Sequence, residues 1–77
     1  MEPIEVPEMG KVEEVDLVQW KYEEGDRVEA GSEIAEVETM KTAFAVLAPA
    51  AGVLEEIAVG AGEKAKVGQK IGSIRRE

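Results

Sequence analysis

Cysteine and histidine are both absent from this 77-residue chain. The first absence excludes disulfides, thiol catalysis and thiolate metal sites. The second removes the commonest general base and metal ligand. Trp, Tyr and Phe occur once each. No apolar run approaches the ~20 residues that a membrane-spanning helix needs. Positive charge is scarce: nine basic residues face 17 acidic ones, for a net charge of −8. Such a chain is a poor partner for nucleic acid, whose phosphates need a basic patch. An anionic membrane surface would repel it too. The start, Met1-Glu2-Pro3-Ile4-Glu5, is acidic and lacks a signal-peptide core, so a cytoplasmic or organelle-matrix protein is expected.

Helix start signals are also missing, and no stretch of ten residues holds a clean 3.6-residue period. Instead, short alternating runs are separated by Gly, Pro and Gly-Asp signals. This pattern predicts an all-β domain. Candidate strands cover residues 4–6, 12–20, 26–28, 33–38, 43–47, 52–59, 64–67 and 70–74. The length suits one small domain, residues 1–77. A chain this short buries only ~60% of its unfolded surface, so its core is thin. Glu13-Glu14, Glu23-Glu24 and Glu55-Glu56 spread the acid along the chain as a solvated surface.

The chain repeats itself. Residues 25–37 align with residues 62–74 at a constant register of 37. Both segments carry Gly, an acid, a base, a small apolar residue and a second Gly six positions on. Ile34 matches Ile71, and Val37 matches Ile74. Upstream, Glu13-Glu14-Val15 resembles Glu55-Glu56-Ile57 at a register of 42, which would put five extra residues of the first half around residues 19–23. Neither half could bury its apolar face alone. Two halves facing each other make a small sandwich or flattened barrel with a pseudo-twofold axis. The paired glycines suit turn positions with φ > 0.

Within that frame Lys41 stands out. It lies in Glu36-Val37-Glu38-Thr39-Met40-Lys41-Thr42-Ala43-Phe44, between two alternating runs, at the tip of an expected hairpin. The equivalent position after Ile74 falls beyond Glu77, so tip and chain ends should lie at opposite poles. A hairpin lysine is ordinarily a solvated cation, here beside Glu36 and Glu38. It is also a primary amine on a long stem, able to form a stable amide with a carboxylate. Ser32 and Ser73 have no histidine to activate them. Glu36 and Glu38 share a sheet face but no cleft, so no catalytic or metal-binding set is expected. Trp20 and Phe44 read as half-buried anchors.

These residues carry a resemblance. Val6-Pro7-Glu8-Met9-Gly10, then Trp20, then Glu24-Gly25-Asp26-Arg27-Val28 and Gly31 stand in the order found in lipoyl domains of 2-oxo-acid dehydrogenase acyltransferases. Val37-Glu38-Thr39 leads to Lys41. Ala48-Pro49-Ala50-Ala51-Gly52 and Val67-Gly68-Gln69-Lys70-Ile71-Gly72 follow. The chain thus resembles the biotinyl/lipoyl carrier domains. That resemblance implies a hammerhead fold of two four-stranded antiparallel sheets in a flattened barrel. It implies a carrier, not an enzyme, with lipoate joined to Lys41 as a swinging arm. Glu38, Thr39, Met40 and Thr42 would be read by a lipoyl protein ligase. Acyl groups would move between the partner enzymes of a 2-oxo-acid dehydrogenase complex. Lipoyl domains usually carry Asp before the lysine, and biotinyl domains carry Met on both sides, so Met40-Lys41-Thr42 is a hybrid. The alternatives are a biotin carboxyl carrier, biotinylated on Lys41 by a biotin ligase and serving a carboxylase, or an unmodified structural hammerhead. The chain could be the N-terminal piece of a dihydrolipoamide acyltransferase, with Arg75-Arg76-Glu77 opening a linker.

Overall fold

The computed structural model describes residues 1–8 and 12–76. Eight strands follow in order: β1 (Glu2–Glu5), β2 (Glu14–Trp20), β3 (Arg27–Val28), β4 (Glu33–Glu38), β5 (Ala43–Leu47), β6 (Gly52–Ile57), β7 (Lys64–Lys66) and β8 (Lys70–Arg76). No helix of the described residues is long and apolar enough to cross a membrane. The strands form two four-stranded antiparallel sheets, ordered β1-β8-β6-β3 and β5-β4-β2-β7. The expected all-β architecture is therefore present. Met9 and Gly10 of the opening motif, and Glu77, lie outside the described residues.

Alternation explains the layers. In β2, Val15 and Leu17 point inward while Glu14 and Asp16 face solvent. Ile34 and Val37 of β4, Leu54 of β6, and Ile71 and Ile74 of β8 meet between the sheets with 0% exposure. Trp20 closes one margin of this core. Its indole N–H donates to the Val59 carbonyl oxygen at 2.7 Å, and a Cβ at Gly72 would stand 3.1 Å from the ring. Phe44 packs half-buried on the same core, as expected.

The repeat is a pseudo-twofold axis. Leu17 pairs with Val37 as Leu54 pairs with Ile74, and Trp20 with Ala35 as Ile57 with Gly72. Every one of these residues shifts by 37. The turns match as well. Asp26 accepts from the Glu23 amide and Glu63 from the Gly60 amide. Gly25 and Gly62 sit at φ 96° and 89°, and Gly31 and Gly68 both at 84°. Even the register shifts recur, between Leu17 and Gln19 in β2 and between Leu54 and Glu56 in β6. Gly52 is required by closeness: a Cβ there would overlap the Arg75 carbonyl oxygen of β8.

One expectation is corrected. β2 matches β6 at a register of 37 throughout, so Glu13-Glu14-Val15 is not the counterpart of Glu55-Glu56-Ile57. The register of 42 holds instead for β1 and β5 and for the segments after them. Ala48 exchanges hydrogen bonds with Gly31 and Ser32 as Val6 does with Gly68 and Gln69. Leu17 follows Val6 by 11 positions, whereas Leu54 follows Ala48 by 6. The five extra residues thus precede β2 and are not at residues 19–23. Solvated glutamates carry no positional information, whereas strand pairing does.

Candidate functional site

Lys41 occupies the turn joining β4 to β5, and these strands are the counterparts of β8 and β1. The tip is therefore the symmetry counterpart of the chain ends, which the Arg76–Glu2 ion pair holds together at 3.2 Å. Pseudo-twofold partners lie on opposite sides of their axis.

The tip is built without glycine. Thr39 N–H donates to the Thr42 carbonyl oxygen at 2.8 Å. The Thr39 hydroxyl accepts from the amides of Lys41 and Thr42 at 3.2 and 3.3 Å. It lies 3.3 Å from the Thr42 carbonyl oxygen, to which it can donate. Thr39 is half-buried, while Met40, Lys41 and Thr42 are exposed. Met40 is fully exposed, at 104% of its reference area.

Six ion pairs join other described residues, including Lys21–Glu33, Lys64–Asp16 and Lys70–Glu56. Lys41 belongs to none of them. Its side chain is exposed to solvent. Glu38 lies one strand end away, in a cross-sheet row that runs Ala43, Glu38, Asp16, Lys64. Asp16 accepts a hydrogen bond from Lys64 at 2.9 Å. That bond, reinforced by the attraction of Asp16 and more weakly of Glu14, raises the Lys64 pKa against a small desolvation. A lysine pKa raised on folding stabilises below the ordinary lysine range and loses that effect as pH rises through the higher folded value. The contribution is therefore constant through neutral pH. Glu36, the other nearby acid, is engaged by the Gln19 amide at 3.2 Å.

Glu38, Thr39, Met40, Lys41 and Thr42 are thus contiguous on one hairpin, as expected. Sequence reasoning missed a second contributor. Val12 and Glu13, just before β2, and Glu14, its first residue, line an open depression of about 340 Å³ with Thr39, Met40 and Lys41. Val12 and Glu13 lie in the stretch between Val6 and β2 that holds the five extra residues. The change of register from 42 to 37 between Val6 and Leu17 was the signal that could have found them. Among the described residues no cluster of three or more acidic side chains could hold a metal ion.

The family model described as "Biotin-requiring enzyme" (biotin/lipoyl) matches residues 2–74. The chain is 37% identical over 75 residues to the dihydrolipoyllysine-residue succinyltransferase component of the 2-oxoglutarate dehydrogenase complex of Bacillus subtilis. That match covers 96% of this chain and 18% of the relative. It is 26% identical over 77 residues to the acetyltransferase component of the pyruvate dehydrogenase complex of Pseudomonas aeruginosa, covering 100% of this chain and 14% of the relative. The chain therefore spans under a fifth of the length of the curated relatives it matches. The solution structure of the lipoyl domain of the 2-oxoglutarate dehydrogenase complex from Azotobacter vinelandii superposes with a TM-score of 0.73 at 25% identity, over 95% of this chain and 96% of that one. Fold, tip and likeness converge: the chain belongs to the biotin/lipoyl family, as a carrier domain and not a catalytic one.

Proposed function

We propose that the 77 residues act as one lipoyl-type carrier domain, acylated on Lys41 and working as a swinging arm within a 2-oxo-acid dehydrogenase complex of the cytoplasm or an organelle matrix. The observation that carries this reading is the exposed, unpaired amine at a hairpin tip of a lipoyl-domain fold. The residues present suit lipoate: the amine is accessible, the turn around it is hydrogen-bonded, and an open depression adjoins it. When bound, lipoate supplies a dithiolane for reductive acylation and acyl transfer on separate enzymes. The chain's own contribution is mechanical and electrostatic. An amide at Nζ removes the ammonium charge, which takes the net charge from −8 to −9 and leaves an uncharged stem free to move. A ligase would read Glu38, Thr39, Met40 and Thr42, because carrier domains of one fold differ in the residues around the lysine. The likeness to succinyltransferase and acetyltransferase components supports partner enzymes of that kind and a longer parent acyltransferase.

Biotin is the second reading, favoured by the exposed Met40 directly before Lys41. Ligases decide between the two. Lipoate–protein ligase is expected to modify the domain efficiently, and biotin ligase to act poorly. Met40→Asp should preserve or improve lipoylation, because it restores the residue usual in lipoyl domains. Glu38→Ala should slow it by removing an exposed charge that a ligase can pair with. Initial rates measured side by side check this. Efficient biotinylation with negligible lipoylation would promote the biotin reading in its place.

A further inference from the structure

We infer that Thr39 is a positioning residue for acylation of Lys41, its hydroxyl holding the lysine backbone in the presented geometry; this rests on the attachment reading above. The argument starts from backbone shape. Two-residue hairpin tips favour type I′ or II′ turns, which match the strand twist but need φ > 0 in the loop. Here residues 39–42 join β4 to β5, with Met40-Lys41 enclosed by the Thr39 N–H bond to the Thr42 carbonyl oxygen, and among the described residues no non-glycine has a positive φ. The tip therefore reverses with negative φ throughout, a geometry that splays the flanking strands. Something must hold it closed. Thr39 does so twice. Its N–H donates to the Thr42 carbonyl oxygen. Its hydroxyl receives the Lys41 and Thr42 amides, one acceptor serving two turn donors. This is a side chain standing in for backbone, as Ser and Thr do in turns. Met40 and Lys41 are exposed, so burial does not hold the turn. Position 39 thus governs how the amine is offered, although Val37, two residues before it, belongs to the core.

Thr39→Val tests this. Valine keeps the β-branch and strand preference and loses the acceptor. Thr39→Ser keeps the hydroxyl. One hydrogen bond is worth about a fivefold change in an equilibrium. Amide exchange at Lys41 and Thr42, followed by NMR, should therefore quicken about fivefold in Thr39→Val and stay near the parent in Thr39→Ser. With a lipoate–protein ligase, the valine variant should show a KM for the domain raised about fivefold and kcat within about twofold, since ordering of the turn is deferred to binding. Serine should restore the parent KM. Unchanged exchange or an unchanged KM in Thr39→Val would overturn the inference. So would a serine variant as impaired as valine, or a large fall in melting temperature, which would make Thr39 a structural residue. A parent domain that no ligase acylates would instead bring down the attachment reading, and the exchange data would still report on the turn.

Discussion

Lys41→Arg is expected to abolish covalent cofactor loading while leaving the domain folded. Arginine keeps the positive charge and the length, but its guanidinium is not an acylable amine at neutral pH. Lys41 makes no ion pair and stands outside the core, so its replacement should cost no more than about 0–1 kcal/mol of stability. Lys41→Ala should behave the same way. Circular dichroism, thermal melting and intact mass after ligase treatment check the pair of effects. A collapse in stability would mean that the lysine is structural. Residual loading in Lys41→Arg would mean that another lysine is the acceptor.

The opposite dissociation is expected in the core. Leu54→Ala should cost about 2–5 kcal/mol, the range for a buried leucine cut to alanine. A domain of this size has roughly 4–12 kcal/mol in total. The loss would run from about a sixth of that stability to all of it, with loading at Lys41 falling only as far as the domain unfolds. The symmetry sharpens the prediction. Leu17 is the counterpart of Leu54, and the two are 1% and 0% exposed. Leu17→Ala should therefore cost a similar amount, and the two variants should lie within about 1.5 kcal/mol of one another, inside the spread that local relaxation produces. Urea unfolding measures both. A loss under about 1 kcal/mol in either variant would contradict the shared-core account.

Much of this architecture was legible before any coordinates. β4 and β5 fall at residues 33–38 and 43–47, as their alternation indicated. The glycine pairs and the match of Ile34 to Ile71 announced the axis, because a turn that needs φ > 0 and a fully buried branched side chain tolerate little else. What failed rested on residues under no such constraint. Glu13-Glu14 and Glu55-Glu56 face solvent, so their likeness carried no structural meaning, and it placed the five-residue insertion on the wrong side of β2. β1 begins earlier than expected, at Glu2, because Pro3 can sit on an edge strand. β8 continues to Arg76, carried by pairing of Arg75 and Arg76 with Val53 and Gly52 of β6. At the site, the exposed amine was evident from Lys41 and its flanks. The double role of the Thr39 hydroxyl was not, because it depends on the sign of φ at Met40 and Lys41. Nor was the approach of Val12, Glu13 and Glu14, which is a contact between segments far apart in the chain.

The central claim is that this domain presents one lysine for covalent loading. Intact mass and peptide mapping of the domain, after incubation with lipoate–protein ligase, lipoate and ATP, test it most directly. The account predicts a single lipoyl addition, carried on the peptide containing Lys41, with Lys11, Lys21, Lys64, Lys66 and Lys70 unmodified. A lipoyl addition on any of those five with Lys41 bare, or no addition from a ligase that loads a known lipoyl domain in the same assay, would contradict it.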